Sequence, residues 1–71
     1  MKPHEYFLVV RAPQFEEFVC YLENLPGVTV LGGWPGTTAA RVRVRTSATP
    51  ERTRDRVVAS SGGRFNPSIV E

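Results

Sequence analysis

Val28-Thr29-Val30-Leu31, then Gly32-Gly33-Trp34-Pro35-Gly36-Thr37-Thr38, then Ala39-Ala40-Arg41-Val42-Arg43-Val44-Arg45 reads as a β-hairpin. The first segment is an apolar strand. The middle is a tip rich in glycine and stiffened by Pro35. The last segment alternates strictly, which places Ala40, Val42 and Val44 on one face and Arg41, Arg43 and Arg45 on the other. No other part of the chain has so clear a period.

Upstream of the hairpin, Glu5 to Arg11 (Glu-Tyr-Phe-Leu-Val-Val-Arg) is aromatic and β-branched, and apolar on both faces. Continuous apolarity marks a central strand. Ala12-Pro13 then opens a helix, with proline at the first helical position where its missing N–H is harmless. Glu16 and Glu17 suit the positive end of the helix dipole. Phe15, Phe18, Val19, Leu22 and Leu25 form one stripe at helical spacing, and Pro26-Gly27 ends the helix.

Downstream, Thr49-Pro50-Glu51 is a second helix start, with a capping hydroxyl, a proline and an acid in order. That helix is expected to run to about Ala59 and to turn Val57 and Val58 inward. Ser60-Ser61-Gly62-Gly63 stops it. Arg64 to Val70 is expected to be a last strand, and Pro67 within it places it at a sheet edge.

The element order is βαββαβ, and the two halves echo each other. Arg11-Ala12-Pro13-Gln14 and Ala48-Thr49-Pro50-Glu51 both turn a strand into a helix through proline. Right-handed crossovers then give an α+β, ferredoxin-like sandwich: a four-stranded antiparallel sheet, first and third strands central, with two helices on one face. The helix-facing core expected from this is Leu8, Val10, Phe15, Phe18, Val19, Leu22, Leu25, Val28, Val30, Val42, Val44, Val57, Val58 and Ile69. The whole chain, 1–71, is expected to be one domain. A domain of this length buries only about 60% of its unfolded surface, so good packing or association matters.

Charge is lopsided. Residues 1–35 hold Lys2 and Arg11 against Glu5, Glu16, Glu17 and Glu23, a net −2. Residues 36–71 hold seven arginines against Glu51, Asp55 and Glu71, a net +4. Arginine makes planar, two-pronged contacts with carboxylates and phosphates. One cysteine, Cys20, excludes an intramolecular disulfide, and no run is long enough to span a bilayer as a helix. A cytoplasmic protein without a membrane is the expectation.

The chemistry of catalysis finds no foothold in the sequence. The one histidine, His4, lies near the terminus without an evident neighbour, and a general base needs a positioned one. Cys20 reads as a partly buried filler beside the apolar stripe. No second Cys or His stands at metal-ligand spacing, and no phosphate loop or dinucleotide fingerprint occurs. The expectation is no enzyme, no cofactor and no metal.

What remains is a surface. If helices cover one sheet face, the Arg41-Arg43-Arg45 ladder points away from them, and with it one of the two apolar sets of the first strand: Phe7 and Val9 with Arg11, which is the preferred set, or Tyr6, Leu8 and Val10. An apolar patch rimmed by arginine is a mark of an interaction site. Phe7, Val9, Arg41, Arg43, Arg45 and Trp34 are the candidate interface. The first reading is a protein partner, or a second copy of the chain, with Phe7, Val9 and Leu31 buried in a homo-oligomer. The alternative is single-stranded nucleic acid. The topology matches the RNA-recognition module, but arginines stand on the third strand where that module carries aromatics. In a third reading, Tyr6-Phe7-Leu8-Val9-Val10 resembles the first strand of subtilisin-type propeptides. That resemblance, confined to one apolar strand, implies a peptidase inhibitor or chaperone with Ser68-Ile69-Val70-Glu71 as its tail. Amino-acid-sensing regulatory domains share the same topology. No functional residues carry over from either family. Trp34 either folds back over its own hairpin or projects as an anchor.

Overall fold

The computed structural model describes residues 2–71. Four strands form one antiparallel sheet in the order β2-β3-β1-β4: β1 His4–Arg11, β2 Val28–Trp34, β3 Ala39–Thr46 and β4 Ser68–Val70. Two helices complete an α+β architecture, α1 Phe15–Glu23 and α2 Pro50–Ser60.

β1 is interior, paired with β3 along its whole length and with β4 over Phe7–Val9. Its alternation sorts the side chains: Tyr6, Leu8 and Val10 are buried, and Phe7 and Val9 are half-buried on the opposite side. Ala40, Val42 and Val44 of β3 join the first set. So do Phe18 and Leu22 of α1 and Val57 of α2, which puts both helices on the same side of the sheet. Phe15, Val19, Leu25, Val28, Val30 and Ile69 pack around this cluster half-buried.

Several boundaries differ from the sequence expectation, each for a local reason. The first helix does not open at Ala12. Ala12–Gln14 is a tight 3-10 turn, and α1 begins at Phe15. Neither start has a side-chain cap, and an uncapped first turn tightens readily to the 3-10 form. At the second helix Thr49 does cap: its hydroxyl accepts from the Arg52 N–H at 3.4 Å. The hairpin tip is shorter than Gly32–Thr38, because β2 continues through Trp34. A register shift between Val30 and Gly32 leaves Leu31 as an extra residue, and pairing resumes at Gly32↔Arg43. Gly33 then faces α1 so closely that a Cβ there would lie 2.8 Å from Phe15 Cζ.

The last strand is only three residues long and does not begin at Arg64. Phe65, expected in that strand, is instead a core residue, with ring centroids 5.1 Å from Phe18 and 5.3 Å from Tyr21. Pro67 is fully buried just ahead of β4, with its carbonyl accepting from Arg54 Nε at 3.0 Å. Val58 stays outside the core, since the inward stripe of α2 runs Pro50, Thr53, Val57. Cys20 is exposed and is no filler.

Three hydroxyls lie between the sheet and α2. Thr46 Oγ1 donates to the Ala48 carbonyl at 2.8 Å. Its hydrogen is thereby committed, so it accepts from Tyr6 Oη at 2.9 Å and from Thr53 Oγ1 at 3.5 Å. Among the described residues no buried side-chain nitrogen or oxygen lacks a partner.

Candidate functional site

The candidate site is the sheet face opposite the helices, and its centre is Phe7. Antiparallel register sets the neighbours directly: Glu5 lies opposite Arg45, Phe7 opposite Arg43, and Val9 opposite Arg41. On the outer side of β3, Trp34 of β2 lies opposite the same Arg41. On the other flank, Val70 of β4 lies opposite Phe7, and Ser68 opposite Val9. All six side chains expected on this surface therefore share it.

Their packing is close. The Phe7 and Trp34 rings meet edge to face, 5.7 Å between centroids at 61°. Guanidinium carbons of Arg41 and Arg43 lie 5.5 and 5.4 Å from the Phe7 centroid, within cation–π range. Trp34 is neither tucked over the sheet end nor projecting from a loose tip. It stands on a strand, its ring lies across Gly32, and it remains 49% exposed. Glycine at position 32 is what lets the indole lie down, since a Cβ there would come 3.1 Å from it. The peptide bond to Pro35 is trans.

Glu5 is the residue the sequence reading missed. It accepts from Arg43 Nη2 at 3.0 Å and from Arg45 Nε and Nη2 at 3.0 and 2.9 Å. These hydrogen bonds, Arg43 first and Arg45 second, hold its carboxyl below the ordinary value. The signal was available: a residue two before an outward Phe7 on a strand must also face outward. The consequence is a division within the ladder. Arg43 and Arg45 are tied to one carboxylate, whereas Arg41 makes no ion pair among the described residues. With Arg11 on the same side of β1, four arginines against one carboxylate leave the face a formal +3.

The acidic groups of α1 lie on the other side of the molecule, where Glu17 pairs with Arg64. Leu31, expected on the open face, instead lines a groove of about 530 Å³ between β2 and α1 with Phe15, Val19 and Cys20. His4 is exposed at the start of β1 opposite Thr46, not in a loose end. No three His, Cys, Asp or Glu side chains are grouped to hold a metal ion among the described residues. No helix is long and apolar enough to cross a membrane.

No family model matches the chain, and no curated protein or solved structure matches it.

Proposed function

We propose that this chain is a small non-catalytic interaction module, a single ferredoxin-like domain, that binds an acidic protein partner on its open sheet face. The element order and the central placement of β1 and β3 support the ferredoxin-like reading. The observation that carries the function is the Phe7–Trp34–Arg41 cluster, uncovered by any helix. It combines a half-exposed indole, a supporting aromatic ring and a guanidinium that has no carboxylate of its own among the described residues. Tryptophan and arginine dominate binding hot spots because they bury large area and still place a directional charge. The formal +3 of the face selects an acidic partner. It also disfavours two copies meeting face to face, which would set like charges against each other. A cytoplasmic setting, with no membrane, belongs to the same reading.

A photo-crosslinking residue placed at Val9 tests it in an extract of the host cell. A defined adduct is expected, lost in Trp34→Ala and in Arg41→Glu and retained in Arg52→Ala on the far helix. An adduct indifferent to both face substitutions sinks the reading.

Single-stranded nucleic acid is the second reading, favoured by aromatic and arginine side chains together on a sheet face. Two features weigh against it. The Phe7 ring is already covered by Arg41, Arg43 and Trp34, and two ladder arginines are occupied by Glu5. Titration with oligonucleotides at two salt concentrations separates the readings, since phosphate contacts weaken steeply as salt rises. The inhibitor reading has less support, because Ser68–Val70 is paired to β1 as β4 and is not a free tail.

A further inference from the structure

The two edges of the sheet are built differently. β4 is three residues long and follows the buried Pro67, so it offers little backbone for pairing. β2 is seven residues long, and Val-Thr-Val-Leu-Gly-Gly-Trp contains no charge and no proline. Edge strands ordinarily carry such residues, because their unpaired N–H and C=O groups otherwise recruit another strand. β2 lacks them. It also holds two of the three large apolar side chains left exposed among the described residues, Leu31 at 39% and Trp34 at 49%. Alongside runs the groove lined by Phe15, Val19, Cys20 and Leu31, with Glu16 its one charged residue.

We propose that β2 pairs antiparallel with β2 of a second copy, joining two sheets into one of eight strands. Leu31 of each protomer then packs at the groove of the other. A twofold axis makes one patch its own complement, and an antiparallel strand pair has that symmetry. Charge decides between the available seams. The open face would bring a formal +3 against +3, whereas the β2 edge brings no charged strand residue to the junction. The proposal goes beyond the open-face function and uses the sheet edge, which adjoins the open face at Trp34.

Sedimentation equilibrium over a wide micromolar range tests it. The expected mass rises with concentration from 7.9 kDa to twice that value. Leu31→Lys puts a charge at the seam and is expected to stay monomeric throughout, with unchanged far-ultraviolet dichroism, while Phe7→Ala still dimerises. Cys20 gives an independent reading on the unaltered chain: its alkylation by a maleimide is expected to slow as protein concentration rises. A wild-type mass fixed at the monomer, or a Cys20 rate independent of concentration, overturns the proposal. So does a dimer that survives Leu31→Lys and is lost in Phe7→Ala, which moves self-association to the open face.

Discussion

Neighbouring residues of β1 have opposite surroundings. Tyr6, Leu8 and Val10 are almost wholly removed from water beneath the helices. On the other side Phe7 is half-buried under Arg41 and Arg43, Val9 is half-buried, and Glu5 is exposed and bound by Arg43 and Arg45. The helix side is held by shape: aliphatic groups, two phenylalanines and a short hydroxyl chain. The open side is held by charge and aromatic edges, in contact with water, where such contacts are individually weak. One face therefore determines whether the chain folds, and the other contributes little to that and carries the surface proposed to bind.

That contrast can be broken most severely at Leu8. Leu8→Ala removes a fully buried side chain at the sheet centre and is expected to lose about 2–5 kcal/mol. Against a total stability of about 5–15 kcal/mol for small domains, that is enough to unfold much of the population on mild heating. Urea unfolding monitored by circular dichroism measures it. A loss no greater than that of Phe7→Ala would remove the distinction between the faces. Tyr6→Phe is a finer probe of the buried side. It deletes one hydrogen bond to Thr46, which still donates to Ala48, and is expected to lose about 1 kcal/mol. The same denaturation measurement, repeated on a Thr46→Val background, should show the Tyr6 effect shrink.

The smallest effect belongs to Glu5, on the exposed side. Its folded-state carboxyl is held below the unfolded value, so its contribution is present above the unfolded value and fades as pH falls through the folded one. The melting temperatures of wild type and Glu5→Gln should differ slightly near neutral pH. They should converge below the ordinary carboxylate range, and also at high salt. A gap that persists in acid would mean that Glu5 acts through packing and not through its charge.

The sequence disclosed the alternating elements well, because burial imposes a period on each. The Arg ladder of β3 and the Phe18–Leu22 stripe follow from spacing alone, and so does β1 as a strand, although its two apolar faces do not show by spacing which one turns to the helices. It failed where structure depends on contacts distant in the chain. Phe65 looked like part of a strand, yet Phe18 and Tyr21 draw it into the core after α2 has ended. Trp34 looked like a loop residue because of its glycines, yet those glycines admit the indole on one side and Phe15 on the other. At the candidate site Arg41, Arg43 and Arg45 were legible by face from their alternation, whereas the outward set of β1 and the position of Trp34 depended on contacts that spacing does not show. The clamp of Glu5 on Arg43 and Arg45 was not, because it depends on the register between β1 and β3.

Trp34 also has a practical consequence. It is the one tryptophan of the chain, and it stands where the open face meets the β2 edge. Light absorbed at the red end of the aromatic band therefore excites a chromophore about half in water, packed on Phe7 on the sheet face opposite Leu8. Its emission should move to the red when unfolding frees the ring from Phe7 and Gly32, and to the blue if either neighbouring surface is covered. The molecule thus contains a native optical probe whose red shift reports unfolding and whose blue shift would report covering of either surface, with no label to perturb them.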